Sequence, residues 1–318
     1  MNTRITVPSL LFLSCALFLT ISSCGSSRAT TEKQPDAVLQ QKLDMLFEGF
    51  KGIAGVYVHN LKTGQTAAIR PDTLFPTASM IKVPILCAVF DKINKGELKY
   101  DQNLLYLDSL KYDDGVTGSF RDSTKRQLSE LVMLMITLSD NTAALWLQQL
   151  AGTGSVINEW LETNGFHKTK MNSRTPGRQP NREQYGWGQT TPREMAELVT
   201  MIYQGRAVSP DASEEMFRVL SKPYWDGEAV SQIPPNVHVA SKSGAVNASK
   251  SEVVLVNAPS GDYVFCVITK NQQDQRWVYD NEGLVLIRNV SRMLWEYFEP
   301  ESNWIPQPDS RKWQKKDS

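Results

Sequence analysis

The sequence has little of what most often announces chemistry. Its only histidines are His59, His167 and His238, scattered without ligand spacing to one another or to cysteine, so no metal centre and no other cofactor is expected. Charge of one sign is absent too. With 34 basic and 34 acidic side chains the formal net charge is zero, which excludes a general field drawing the chain to nucleic acid or an anionic membrane and leaves function to a localised site. No internal repeat appears, which excludes a solenoid. Cysteine is scarce: Cys15 and Cys24 lie near the start, while Cys87 and Cys266 sit in the apolar runs VPILCAVF and YVFCVITK. The last two read as small buried hydrophobes, with a disulfide between them left open by spacing alone.

Long apolar runs are also missing. The longest, residues 7–21, follows Arg4, is too short to span a bilayer comfortably, and precedes ISSC. That is the pattern of an export signal. Ile21, Ser22 and Ser23 before Cys24 resemble the bacterial lipobox, in which the cysteine thiol takes the lipid. Cys15 fits less well, because Phe12 stands where ISSC has its aliphatic residue. The segment GSSRATTEKQPD then reads as a tether. The expectation is a signal over 1–23, a tether over 24–35, and a lipid-anchored domain on the periplasmic side of a bacterial membrane.

What is present is a chain of 318 residues with 41% hydrophobic content, enough for a full core. Residues 36–50 space Val38, Leu39, Leu43, Leu46 and Phe47 as an amphipathic helix, and residues 53–59 and 66–70 flank NLKTGQ as a hairpin. Helical periodicity dominates from 78 to about 204, at 80–94, 128–138, 142–150, 156–164 and 192–203. Strand character returns in VHVASKSGAV, SEVVLVN and YVFCVITK, the last two joined by APSGD, and a helix over 281–298 closes the domain. Strands at both ends with helices between predict an α/β (α+β) domain over 36–298. Its antiparallel sheet comes from N- and C-terminal segments, its inserted subdomain is all helical, and a cleft lies between them. Residues 299–318 read as a solvated tail that Trp304 and Trp313 dock locally.

Three short motifs carry chemistry. In TASMIKVP, Ser79 and Lys82 stand one helical turn apart at a helix start, where unpaired N–H groups favour a developing anion. A lysine there accepts a proton only if burial and nearby cations depress its pKa. In ITLSDNTAALWL, Ser139, Asp140 and Asn141 fall between helical runs, and in VHVASKSGAV, Lys242, Ser243 and Gly244 lie on a strand. Singly each has an ordinary structural explanation: a capped helix with a snorkelling lysine, a helix-breaking turn, an edge lysine beside a turn glycine.

Together and in this order, SMIK, SDN and KSG resemble the motifs of class A β-lactamases and their penicillin-binding relatives, over about residues 50–298 and including LSDNTAALWL and QTTPREM. The resemblance implies Ser79 as nucleophile. It makes Lys82 the general base, or an electrostatic holder of that position, and makes Ser139 a proton relay in a field kept positive by Lys242. Asn141 and Ser243 would contact the substrate amide and carboxylate, and Gly244 would leave the strand backbone open to ligand. The oxyanion hole would be the N–H groups of Ser79 and Ala245. The implied partner is a β-lactam or peptidoglycan-peptide-like small molecule acting on a monomer, with the membrane met through the lipid and no nucleic acid.

The sequence departs from the family in the loop that normally carries a water-activating glutamate. Counted without gaps from TTP and from SDN, that position is Thr175, and the family's loop-clamping Arg and Asp pair becomes Ser173 and Gly188. Glu183 is the only acid between Met171 and Pro192. Ser251, with Lys250 beside it, stands where many β-lactamases place an arginine for the substrate carboxylate. Three readings follow: a β-lactamase, a D-Ala-D-Ala peptidase or esterase, and a penicillin-binding sensor that acylates once.

Overall fold

The computed structural model describes Met1 and residues 33–306. The expected signal and lipidation site, with Cys15 and Cys24, most of the tether, and Trp313 lie outside the described residues. Among those described, no helix is long and apolar enough to cross a membrane.

The chain enters through β1 (Gln34–Pro35) and α1 (Ala37–Phe47), followed by the expected hairpin β2 (Ile53–Asn60) and β3 (Gln65–Ile69). Asp36 starts α1 by accepting from the N–H groups of Val38 and Leu39. The helix stops short of residue 50 because Glu48 is extended and Gly49 takes a φ of +77°. After β4 (Phe75–Pro76), a 3₁₀ turn at Ala78–Ile81 runs into α2 (Lys82–Asn94). The ribbon of β5 (Asn103–Leu105) and β6 (Lys125–Gln127) precedes α3 (Leu128–Thr137), α4 (Asn141–Leu150) and α5 (Thr153–Thr163). Then come β7 (Lys170–Met171), α6 (Gln179–Tyr185), β8 (Gly188–Thr190), α7 (Pro192–Tyr203) and α8 (Pro210–Leu220). The C-terminal part is β9 (His238–Val246), β10 (Ser249–Asn257), β11 (Tyr263–Lys270) and α9 (Glu282–Phe298).

The main sheet has the order β1-β3-β2-β11-β10-β9, so N- and C-terminal segments do assemble one sheet and β9 lies at its edge. All its pairings are antiparallel except that of β1, which adds in parallel with Gln34 opposite Gln65, making the sheet mixed where an antiparallel one was expected. The middle block also differs from an all-helical insertion. It contains β5, β6, β7 and β8, the last two joining β4 in a small sheet that pins the loop after α5. Its helical character runs on to α8, which Ser209 caps by accepting from Ala212 N–H with Pro210 at the first helical position.

The sheet is covered on both faces. One face of β10 and β11 (Val253, Leu255, Val264, Cys266, Ile268) joins a core with the helical lobe. The other (Val254, Val256, Phe265, Val267) packs on α1 and α9. Double coverage explains why these strands read as continuous apolar runs. Among the described residues Cys87 and Cys266 are unpaired, and both are buried in the first core. After α9, residues 300–303 and 305 are exposed, while Glu299 accepts from the N–H and hydroxyl of Ser260 at 2.7 and 3.0 Å and Trp304 packs on the second core.

Candidate active site

The 3₁₀ turn places Ser79 beneath α2, and Met80 N–H already uses the Thr77 carbonyl at 3.0 Å, so the Ser79 N–H is an unspent donor of the helix start. Ala78 just before it takes a φ of +43°, a strained value for a residue with a Cβ. One turn on, Lys82 is fully buried, and its Nζ meets four oxygens. It donates to the Ser139 carbonyl at 2.5 Å and Asn141 Oδ1 at 2.8 Å, and lies 3.0 Å from both Ser79 Oγ and Ser139 Oγ. The first and second motifs therefore meet at one nitrogen.

Ser139 reaches that nitrogen through a φ of +58°, fixed by Asp140 on its far side. Buried Asp140 caps α4 through Ala143 N–H at 2.8 Å and accepts Thr117 N–H at 2.9 Å, while its own N–H is held by the Leu134 carbonyl. Asn141 is gripped at both ends, since its Nδ2 donates to Asp113 Oδ2 at 2.7 Å. Burial holds Lys82 well below the usual lysine range and the charge of Lys242 pushes the same way, against Asp140 and Asp113. An amine whose pKa is held down beside a serine hydroxyl is placed to take that hydroxyl's proton.

The third motif arrives on the edge strand. Lys242 is buried, donates to the Ser243 carbonyl at 2.9 Å, and is lowered by burial to about 8, with the charge of Glu252 opposing. Glu252, fully buried on the sheet's other face, is raised by burial to about 8 although it accepts Ala229 N–H at 2.9 Å. Gly244 is required by space: a Cβ there would lie 2.6 Å from Thr77 O and 3.0 Å from Ser79 N. Ser251 is buried and does not line the cleft that opens on Ser79. Its Oγ donates to the Gly244 carbonyl at 3.1 Å, fixing the peptide that leads into Ala245. Lys250 turns toward α9, donating to Val246 O at 2.8 Å with its ammonium 4.0 Å from the Trp277 ring centroid.

A cleft of about 430 Å³ opens on Ser79. Ser79, Asn141 and Ala245 line it, whereas Ser139, Lys242 and Ser243 do not. Its loop wall is Gln184 to Trp187, and no acidic side chain lines it. Thr175 is elsewhere: its hydroxyl donates to the carbonyls of Met171 (3.2 Å) and Ser173 (2.9 Å) and it packs against Gly154 of α5. Glu183 is exposed and accepts from Gln179 at 3.1 Å. The loop is clamped without an ion pair. Gln148 Nε2 donates to the Ser173 carbonyl at 2.7 Å, Arg178 donates to Asn172 Oδ1 (2.9 Å) and Gln189 Oε1 (2.7 Å), and the Gly188 carbonyl takes Thr77 N–H at 3.0 Å. Sequence reasoning missed Asp113, Gln148, Arg178 and the cleft-lining Lys270, none of which sits in a recognisable short pattern.

Comparison with known proteins agrees with this arrangement. Residues 38–298 match the model of a beta-lactamase enzyme family. Beta-lactamase VEB-1 of Pseudomonas aeruginosa is 22% identical over 306 residues, covering 92% of this chain and 98% of that one. A beta-lactamase of Streptomyces albus G is 28% identical over 260 residues, covering 76% and 79%. The solved structure of PBP-A superposes with a TM-score of 0.76 at 27% identity, covering 86% of this chain and all of that one. A mutant of PBP-A has been solved as an acyl-enzyme complex with penicillin G.

Proposed function

Since the chain belongs to the beta-lactamase enzyme family, we propose that it is an acyl-serine enzyme: Ser79 opens a β-lactam, or a peptide-like amide of the same shape, and the acyl group leaves slowly. The observation that carries this is the buried Lys82 nitrogen held 3.0 Å from both Ser79 Oγ and Ser139 Oγ. Neutral Lys82 takes the Ser79 proton as Oγ attacks the carbonyl, and the oxyanion develops against the N–H groups of Ser79 and Ala245. Ser139 passes a proton to the departing nitrogen as the C–N bond breaks, and is reprotonated from Lys82. Lys242 keeps this corner positive and, with Ser243, meets a leaving-group carboxylate.

Deacylation is the weak step, because no carboxylate lines the cleft to activate water and Thr175 faces α5. The same observation favours a second reading, a peptidase or penicillin-binding sensor whose acyl-enzyme persists on β-lactams; the likeness to PBP-A supports it. Incubation with a chromogenic cephalosporin followed by intact-protein mass tests both. The expected result is a burst equal to the enzyme concentration, an adduct on wild type and none on Ser79→Ala. Rapid turnover without an adduct refutes slow release. The reading includes a lipid on Cys24 that holds the domain at the cell envelope; Cys24→Ala should move it from the detergent phase to the soluble fraction, and soluble wild type would refute that.

A further inference from the structure

The cleft does not end at Ala245; it continues along Val246, Ala248 and Ser249 to Lys270 and Asn271. Strand register explains the path. Val246 is opposite Ser249 on β10, and continuing the pairing of Ser251 with Ile268 by two residues sets Ser249 opposite Lys270 on β11. Two strand spacings put the Lys270 backbone on the order of 10 Å from Val246. Alternation turns Ser249 and Lys270 to the face shared by Ser251 and Ile268, which is the face of the nucleophile.

Both side chains have unused capacity. The Lys270 ammonium donates to the Leu74 carbonyl at 2.7 Å and lies 5.0 Å from the Phe75 ring centroid. It has no carboxylate partner among the described residues, and burial alone pulls its pKa down. Two of its three N–H bonds remain to be used. Ser249 is 2% exposed and its Oγ has no hydrogen-bond partner among the described residues, an expensive state for a buried hydroxyl. The same cleft has aromatic walls, with Trp187 packed edge-on to Tyr112 at 5.2 Å and Tyr185 also lining it. Ser139 and Lys242, which would serve the leaving group, do not line this volume, so it receives the acyl side of the substrate.

We propose that Lys270 and Ser249 form an anion subsite for a carboxylate carried at the end of the acyl side chain of the substrate that Ser79 attacks. The proposal rests on the acyl-serine reading and names its substrate class: acyl donors with an apolar body and a terminal carboxylate. A β-lactam and a peptide ending in D-alanyl-D-alanine can both carry such a group, and the test separates them.

The experiment measures second-order acylation constants for two matched pairs. One is a penicillin nucleus with an adipyl side chain against its terminal primary amide; the other is N-adipyl-D-alanyl-D-thiolactate against its amide. The expected ratio, carboxylate over amide, is about tenfold or more. It should fall toward one in Lys270→Gln, drop about threefold in Ser249→Ala, and largely survive in Lys270→Arg, which keeps the charge beside Phe75. Discrimination in either pair supports the subsite, and the pair that shows it identifies the source. Acylation by all four probes with ratios near one, or a ratio unchanged in Lys270→Gln, overturns the subsite alone. Acylation by none overturns the acyl-serine reading with it.

Discussion

Replacing Gly244 by alanine tests the site through a single methyl group. Its Cβ would lie 2.6 Å from Thr77 O, 2.8 Å from Ser251 Oγ and 3.0 Å from Ser79 N, where ordinary contact begins near 3.4 Å. The Ser251 hydroxyl can rotate away. Thr77 O cannot, because it accepts Met80 N–H at 3.0 Å and closes the turn that holds Ser79. Strand β9 must therefore back off by several tenths of an ångström, carrying the Ala245 N–H from the position that the Ser79 N–H shares. Complete loss of one oxyanion donor costs roughly 10² to 10³ in rate. A displaced donor should cost about 10 to 10², with overpacking taking roughly 1–3 kcal/mol from stability. Stopped-flow acylation by a fluorescent penicillin, on protein shown by urea titration to be folded, reads both effects. Ser251→Ala in the same chain should not restore the rate, since the Thr77 contact is untouched. Acylation within threefold of wild type would refute the argument.

Acylation should depend on pH through both lysines. The rate rises as Lys82 loses its proton at a pH well below the usual lysine range and falls as Lys242 loses its own at about 8; Lys242→Ala removes a repelling charge and should move the rising limb to higher pH, and an unmoved limb would uncouple the pair. Thr175→Glu should not create rapid turnover, because position 175 faces Gly154 and the Met171 carbonyl instead of the cleft; fast steady-state hydrolysis by this variant would contradict that placement. Glu252 is raised from its ordinary 4.5 to about 8 by burial, so its contribution to stability is fully present below 4.5 and is lost as pH rises through 8. Urea midpoints at pH 5 and pH 8 should fall across that window in wild type and be flatter in Glu252→Gln, with equal slopes counting against a buried neutral acid.

Much of this architecture was legible because its signals are local. Ser79 and Lys82 are neighbours by helical spacing, and β2, β10, β11 and α9 announce themselves by periodicity or continuous apolarity. Even α8 carries readable signs, Ser209-Pro210 at its start and Ala212, Met216 and Val219 at helical spacing, which lie beyond the end expected for the helical block near residue 204. Strands β1, β4 and β7 are only two residues long, too short for any period to appear. The site's remaining partners are long-range and typed by geometry alone. Nothing near Asp113 marks it as the group that grips Asn141, and counting to Thr175 fixes a sequence offset but not which side of a rebuilt loop its hydroxyl faces.

The edge position of the catalytic strand shows where pattern and pairing divide. VHVASKSGAV reads as a strand, and its mix of lysine, serine and glycine differs from the unbroken apolar runs of β10 and β11, which only a doubly covered interior strand can afford. Composition thus points to an edge, yet which neighbour fills the single paired side depends on β11 crossing to β2 between the two ends of the chain. That non-local choice leaves the free edge of β9 against the 3₁₀ turn, so that Gly244 closes on Ser79. It also sets Lys270 opposite Ser249, two strands in from the edge. The order of five antiparallel strands, more than any motif, decides that Gly244 beside Ser79 and Lys270, without a carboxylate partner among the described residues, border one cleft.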